Sequence, residues 1–257
     1  MKEIDVYKVL EGKNPKLARR VPRFVVDYLR RTIHEREVNE ILARFGDLEG
    51  IAFVRAALGY MNVRYHSVGM ERLNPEGRYV FASNHPFGGM DGLMLADEVA
   101  RYFGDVRVVV NDLLMYLGPL RGLFVPVNKH GRQDAGSVEA FNNAFASDVP
   151  IVTFPAGLCS RRRRGVVRDL EWKPNFVKKA AAYGRDVVPV YFNGRLSDFF
   201  YRLSNLRTVL GIKANIEMLY LADEMFRQAG SDFEIIIGRP IPVSYTHLRA
   251  HETPEHL

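Results

Sequence analysis

Apolar positions recur at helical spacing through the first quarter of the chain and in short strand-like runs through most of the rest. Val21, Phe24, Val25, Tyr28, Leu29 and Ile33 fall on one helical stripe, with Pro22 suited to the first turn. Further helices are predicted over 35–45, ended by Gly46, and over 48–58, ended by Gly59. Residues 1–75 therefore read as a helical N-terminal region. Residues 78–82 are aromatic and β-branched and predict a buried strand, after which Leu93, Leu95, Ala96, Val99 and Ala100 return to helical spacing over 92–103. Further strands are predicted at 106–110, 124–127, 151–154, 187–191, 216–221 and 233–237, with helices at 113–117, 137–146 and 175–183. This alternation predicts an α/β fold over 76–243, a largely parallel sheet flanked by helices. Residues 196–210, with Phe199, Phe200, Tyr201, Leu203 and Leu206, are unusually aromatic. Core packing is the common reason for such a segment; a cover over a site or a contact with lipid is the other.

Between the first predicted strand and its helix lies Asn84-His85-Pro86-Phe87-Gly88-Gly89-Met90-Asp91-Gly92. One proline and three glycines let the backbone turn sharply and approach a ligand closely. Loops at the carboxyl ends of strands are where α/β folds place their chemistry. A neutral imidazole takes a proton near neutral pH, and a carboxylate on its other nitrogen fixes the tautomer. With no Ser or Cys between them, His85 and Asp91 suit deprotonation of a substrate hydroxyl rather than of an enzyme nucleophile. The local sequence leaves a second reading open, in which Asp91 caps the helix and His85 is an interior histidine.

Composition narrows the class. At 257 residues, 47% hydrophobic and 26% charged, the chain can bury a core of its own. A single cysteine, Cys159, excludes an internal disulfide framework and fits a reducing compartment. The charged start, Met1-Lys2-Glu3-Ile4-Asp5, is unlike a signal peptide, and no uncharged apolar run approaches the roughly 20 residues that span a bilayer. A net charge of +6 and a pI near 9.4 favour anionic partners: nucleic acid, acidic lipid or a phosphorylated substrate. Residues 13–31 hold seven basic residues (Lys13, Lys16, Arg19, Arg20, Arg23, Arg30, Arg31) against the single acid Asp27. A basic amphipathic helix there can lie on an anionic membrane, or pack on the domain with its basic face in water. Residues 244–257 break the pattern and resemble a translated sequencing adapter, so His247, His251 and His256 are set aside as a non-native tail.

Four short motifs now stand in order. Asn84-His85 followed by Asp91 resembles the first block of the lysophosphatidic acid acyltransferase (PlsC-like) superfamily, with five residues between His and Asp where that family usually has four. Gly122-Leu123-Phe124-Val125-Pro126-Val127-Asn128 is similar to its second block, Phe154-Pro155-Ala156-Gly157-Leu158 to its third, and Val188-Pro189-Val190 to its fourth. The third block usually reads Phe-Pro-Glu-Gly-Thr-Arg; here Ala156, Leu158 and Cys159 replace its glutamate, threonine and arginine, and Asn128 stands at or beside the second-block arginine. An uncharged pocket gives up charge-assisted bonds to a phosphate, so a different acceptor is expected. The extra glycine and the string Phe-Pro-Ala-Gly-Leu-Cys-Ser resemble the hemolysin-like bacterial branch that includes lyso-ornithine and lyso-glycine lipid O-acyltransferases.

That resemblance implies a fatty acyl transfer from acyl-ACP or acyl-CoA to a lysolipid hydroxyl, with His85 as general base, Asp91 orienting it, and no metal or other cofactor. It implies substrate contacts at Asn84, Gly88, Gly89, Phe124, Pro155, Ala156, Gly157, Arg161 and Arg162, with backbone N–H groups near Gly88, Gly89 or Gly157 serving the oxyanion. The run of four arginines at 161–164 would lie at the mouth of the site and grip the carrier, the headgroup or the bilayer; a solvated charge run is the other reading. Lys129 and Arg132 are weaker candidates for the same work. Cys159 as a nucleophile with His85 or His130 lacks a third group, and His34, His66 and His130 lack a partner at metal spacing. The partners implied are a carrier protein or CoA thioester, a lysolipid and an anionic membrane at the inner face of a bacterial cell, with no nucleic acid. The alternatives are a 1-acylglycerol-3-phosphate acyltransferase and a non-enzymatic, hemolysin-like basic membrane-binding protein.

Overall fold

A computed structural model describes residues 4–111, 114–115, 117–127 and 135–244. Asn128, Lys129, His130, Arg132 and the tail beyond Ser244 lie outside the described residues. The N-terminal stretch folds into α1 (Val6–Lys13), α2 (Pro15–Ala18), α3 (Arg23–Thr32), α4 (Glu35–Phe45) and α5 (Gly50–Tyr60). Asp5 caps α1 by accepting from the N–H groups of Tyr7 and Lys8. The stripe foreseen on α3 is only partly its packed side. Val26 and Thr32 are buried, whereas Phe24 is 72% exposed and Tyr28 46%. α3 packs on α1 and α4, which leaves the row through Phe24 and Tyr28 facing outward.

The region assigned to helices up to residue 75 also holds a strand. β1 (Arg64–Val68) alternates exposed with half-buried residues and lies at one edge of the sheet, so it lacks the apolar run that marks a central strand. The chain continues through β2 (Tyr79–Ser83), α6 (Met90–Phe103), β3 (Arg107–Asn111), β4 (Phe124–Val127), α7 (Ala135–Ala146), β5 (Ile151–Thr153), β6 (Arg161–Arg163), β7 (Val166–Arg168) and α8 (Asn175–Ala182). It ends with β8 (Asp186–Phe192), α9 (Asp198–Val209), α10 (Leu221–Arg227) and β9 (Asp232–Ile237). The main sheet has seven strands in the order β1-β9-β8-β2-β5-β3-β4, and only the β8/β9 pairing is antiparallel. The mixed α/β class with a largely parallel sheet is therefore borne out. β6 and β7 form a separate antiparallel hairpin. The strand predicted over 216–221 is instead a 3-10 turn, Ile216–Tyr220, leading into α10. Its Glu217 is fully buried and accepts from Arg161 and Arg207, so charge pairing rather than strand alternation sets its place.

β2 is the middle strand, and all five of its residues are buried. Tyr79 and Phe81 join the main core with Met94, Leu95 and Val99 of α6, while Val80 and Ala82 point to a second cluster with Phe145, Ile151 and Ala180. Helices thus cover both faces, and only the strand ends are open for chemistry. The second cluster is closed by a buried charge. Arg185 is fully buried and donates to the carbonyls of Phe145 (2.8 Å), Val149 (2.9 Å), Ala144 and Ser147, collecting the orphan carbonyls at the end of α7.

Candidate active site

The loop leaving β2 brings His85 and Asp91 together. His85 Nδ1 lies 3.0 Å from Asp91 Oδ2, and the same oxygen accepts the Phe87 N–H at 3.0 Å. Asp91 Oδ1 accepts the Gly92 N–H at 3.0 Å, and the carboxylate is wholly buried. Asp91 is not the helix cap: α6 begins at Met90 with Gly89 in the cap position, and Asp91 sits inside the first turn. A carboxylate held by two N–H groups and a helix N-terminus is an acceptor fixed in space, which makes Nδ1 the protonated nitrogen. Nε2 keeps its lone pair, and among the described residues no group bonds it. The imidazole retains 17% exposure. The five-residue spacing is absorbed at Gly88, whose φ is +70° and whose Cβ, were there one, would lie 2.7 Å from Leu221 and 3.2 Å from Cys159. Gly194 gives Phe87 its seat, since a Cβ there would sit 2.0 Å from the ring.

The third motif reaches the histidine from the neighbouring strand β5. The Phe154 ring lies 4.2 Å from the His85 ring, centroid to centroid. Beyond the turn, the Ser160 N–H donates to the His85 carbonyl at 2.9 Å. Asp169, just after β7, accepts from the His85 N–H at 3.2 Å and from the Ser160 hydroxyl at 2.5 Å through Oδ1, and from the Trp172 indole at 2.9 Å through Oδ2. One carboxylate therefore holds the main chain of His85, directly at its N–H and through Ser160 at its carbonyl. Nothing in the sequence marked Asp169, because its partner lies 84 positions away. Asp169→Ala is expected to lower kcat about 10- to 100-fold with KM little changed, because small displacements of a catalytic group are costly. Asp169→Asn should recover part of that loss, and steady-state kinetics beside a thermal melt checks both.

Several expected substrate contacts are used internally. Asn84 donates to the Phe192 carbonyl (2.9 Å) and accepts the Phe192 N–H (2.8 Å), so both ends of its amide tie the loop to the end of β8. Phe124 pairs with Val108 on the edge strand β4 and packs in the main core, with β5 and β3 between it and β2. Pro155 and Ala156 are buried in the turn after β5, and the Gly157 N–H donates to the Phe154 carbonyl at 2.9 Å, so that amide cannot serve an oxyanion. No described acceptor faces the N–H of Gly88 or Gly89. Arg161 is buried, bonded to Glu217 (2.9 Å) and to the Cys159 carbonyl (2.7 Å), and Arg162 pairs with Asp198 at 2.7 Å. Together they pin the hairpin to α9 and to the 3-10 turn after it. Arg163 and Arg164 are the exposed pair, lining a cavity of about 440 Å³ with Leu158, Arg207 and Val209.

Cys159 is wholly buried, and burial pushes its thiol up to about 11 despite the Arg161 guanidinium beside it. At neutral pH it is a packed, neutral thiol. Thiol alkylation of the folded protein should be negligible at pH 8 and become appreciable only as the pH approaches 11, and Cys159→Ala should keep its turnover; modified peptide counted by mass spectrometry checks the first and a transfer assay the second. His34 and His66 each meet a carboxylate, Asp223 at 3.1 Å and Glu234 at 3.4 Å. Among the described residues no group of three His, Cys, Asp or Glu side chains could hold a metal ion, and no helix is long and apolar enough to cross a membrane.

A histidine-carboxylate pair at the end of the central strand of a mostly parallel sheet, braced by a Phe-Pro-X-Gly turn, defines a class. The chain belongs to the acyltransferase family, whose profile matches residues 8–253, and it is an acyltransferase. It is 48% identical over 240 residues to a lyso-glycine lipid O-acyltransferase of Bacteroides thetaiotaomicron, covering 93% of this chain and 88% of that protein. A lyso-glycine lipid O-acyltransferase of Phocaeicola vulgatus is 45% identical over 240 residues, covering 93% of this chain and 86% of that one. The crystal structure of the 1-acyl-sn-glycerophosphate (LPA) acyltransferase PlsC from Thermotoga maritima is similar over 77% of this chain and 74% of that chain, at 15% identity and a TM-score of 0.42. The resemblance read from four motifs is borne out at the level of family and enzyme class, and the rival of a non-enzymatic basic protein gives way.

Proposed function

We propose that this chain esterifies the hydroxyl of a lysolipid, of the lyso-glycine or lyso-ornithine type, with a fatty acyl group taken from an acyl-ACP or acyl-CoA thioester. The observation that carries the chemistry is the His85 Nδ1 to Asp91 Oδ2 contact of 3.0 Å, which turns Nε2 and its lone pair to the incoming substrate. Nε2 takes the proton of the acceptor hydroxyl as that oxygen attacks the thioester carbonyl. The tetrahedral oxyanion is met by the N–H groups of Gly88 and Gly89, which meet no acceptor among the described residues, next to the N-terminus of α6. On collapse the C–S bond breaks, and the imidazolium returns its proton to the leaving thiolate. His85 ends neutral, and neither a metal nor a covalent acyl-enzyme is needed.

The acceptor reading is supported by the uncharged third motif, Ala156-Gly157-Leu158, and by the two relatives whose names specify a lyso-glycine lipid. The chain works at the inner face of a bacterial cell membrane, held there in part by the basic segment 15–33, whose Phe24 and Tyr28 point outward. Removing everything before residue 67 would be a poor test of that anchor, since it deletes most of β1. Labelled acyl thioester offered in parallel to a lyso-glycine or lyso-ornithine lipid and to lysophosphatidic acid decides the acceptor. Transfer to the aminolipid alone is expected. Transfer to lysophosphatidic acid alone would overturn the acceptor assignment.

A further inference from the structure

The outer face of α9 is built backwards for a surface helix. Its inner side carries Phe200, Tyr201 and Ser204, and its outer side is also apolar: Leu206 is 55% exposed, Val209 83% and Leu210 63%. Ile212 and Leu219, in the segment that follows, are large exposed apolar residues too. Isolated exposed apolar residues are ordinary, but large ones gathered on one helix end mark a contact with something apolar.

Charge surrounds this patch. The β6–β7 hairpin reaches the cavity beside Val209, and its two-residue turn places Arg164 at a φ of +50° before Gly165 at +82°. A β-hairpin of this kind favours Asn or Gly at that first position, so a long cation held there is conformationally costly. Arg163, Arg164, Arg202 and Lys213 have no carboxylate partner among the described residues, whereas Arg161 and Arg162 do. The patch also runs on to α3: Phe199 packs edge-on against Tyr220, whose hydroxyl bonds that of Tyr28, and Phe24 lies on the same helix as Tyr28. Aliphatic side chains at the centre, aromatics with polar tips and unpaired cations at the rim match an anionic bilayer surface.

We infer that the C-terminal end of α9 and the turn after it, rimmed by the arginine hairpin, dock this protein on an anionic membrane as a second contact beside α3. The inference rests on the lysolipid reading for its purpose: the docked face puts the mouth of the basic cavity, which Leu158 and Val209 share, at the lipid surface from which an acceptor comes.

Cosedimentation of the full chain with vesicles of phosphatidylglycerol and phosphatidylcholine, and of phosphatidylcholine alone, tests it without any turnover. The partition onto anionic vesicles should fall at least about tenfold in Leu206→Asp/Leu210→Asp. It should fall about fivefold for each guanidinium removed in Arg163→Gln/Arg164→Gln at low salt. Phe24→Asp reports the α3 contact separately, and an unchanged melting temperature shows that the exposed substitutions leave the fold alone. Transfer to a short-chain acceptor below its micellar concentration should stay at the wild-type kcat/KM in Leu206→Asp/Leu210→Asp, whose side chains lie outside the cavity lining, so a failed membrane contact is told apart from a failed acyltransferase reading. Wild-type pelleting in that variant would overturn the inference. So would sedimentation velocity showing that the patch joins two copies of the chain while neither protein binds vesicles.

Discussion

His85→Ala is expected to lower kcat for acyl transfer by about a thousandfold while the protein melts at nearly the wild-type temperature. The size follows from the loss of a general base placed on the reacting hydroxyl, a contribution of about 100- to 10,000-fold. The fold should survive because, among the described residues, the imidazole bonds Asp91 alone, while the loop itself is held by main-chain groups: the His85 N–H on Asp169, the His85 carbonyl on Ser160 and the Phe87 N–H on Asp91. Asp91→Asn should cost about a hundredfold, since an amide that turns its N–H to Nδ1 selects the tautomer that protonates Nε2. Asp91→Ala adds a larger stability cost than Asn, because the Gly92 N–H, which the Asn oxygen can still accept, then loses its acceptor as well as the Phe87 N–H in a wholly buried place. Steady-state kinetics beside thermal melts separates the two effects.

Arg185→Met should destabilise the fold by about 3–5 kcal/mol, the largest loss of stability expected here from a single substitution outside the site. The side chain is fully buried, and its guanidinium satisfies carbonyls at Ala144, Phe145, Ser147 and Val149 where α7 ends. Burial, with Arg78 nearby, pulls its pKa down to about 10, so it remains a cation at neutral pH and suits the negative end of the helix. Methionine fills similar space and donates nothing, so the Val149 carbonyl loses its side-chain donor and those of Ala144, Phe145 and Ser147 each lose one of two. Arg78 reaches Phe145, Ala146 and Ser147 from the rim but cannot replace a donor inside the cluster. Denaturant unfolding should show the loss as a lower midpoint at unchanged slope.

Features set by neighbours in the chain are legible in its sequence. The His85–Asp91 pair spans six positions, and the run from β2 into α6 follows the apolar period of Phe81, Leu95 and Val99. What escaped is set at long range. Asp169 reaches the His85 main chain across 84 positions, and Arg161 meets Glu217 across 56. A row of arginines carries no mark of which members pair internally: Arg161 and Arg162 bind α9 and the turn after it, leaving Arg163 and Arg164 to face outward. β1 was missed because an edge strand with half-buried alternation lacks a hydrophobic run, and 216–221 was misjudged because a buried ion pair holds its apolar residues in a 3-10 turn. Asn84, counted among the substrate contacts by its place beside His85, turns out to be the bolt between the loop and β8.

The extra residue between His85 and Asp91 and the loss of charge from the third motif fit one picture. Gly88 lets the longer loop close on Asp91, while the carboxylate that stabilises the histidine main chain comes from Asp169. The proposed base is thus coupled to both ends of the arginine hairpin, through the Ser160 N–H just before β6 and the Asp169 carboxylate just after β7.

The central claim is direct transfer from thioester to lipid hydroxyl with His85 as base. A single turnover with labelled acyl thioester and a lyso-glycine lipid, the protein mass being recorded at each time point, tests it most directly. The label should pass to the lipid with no acyl-protein at any time, and His85→Ala should stall before transfer. A stoichiometric acyl adduct on the protein, or transfer by His85→Ala at the wild-type rate, would contradict it.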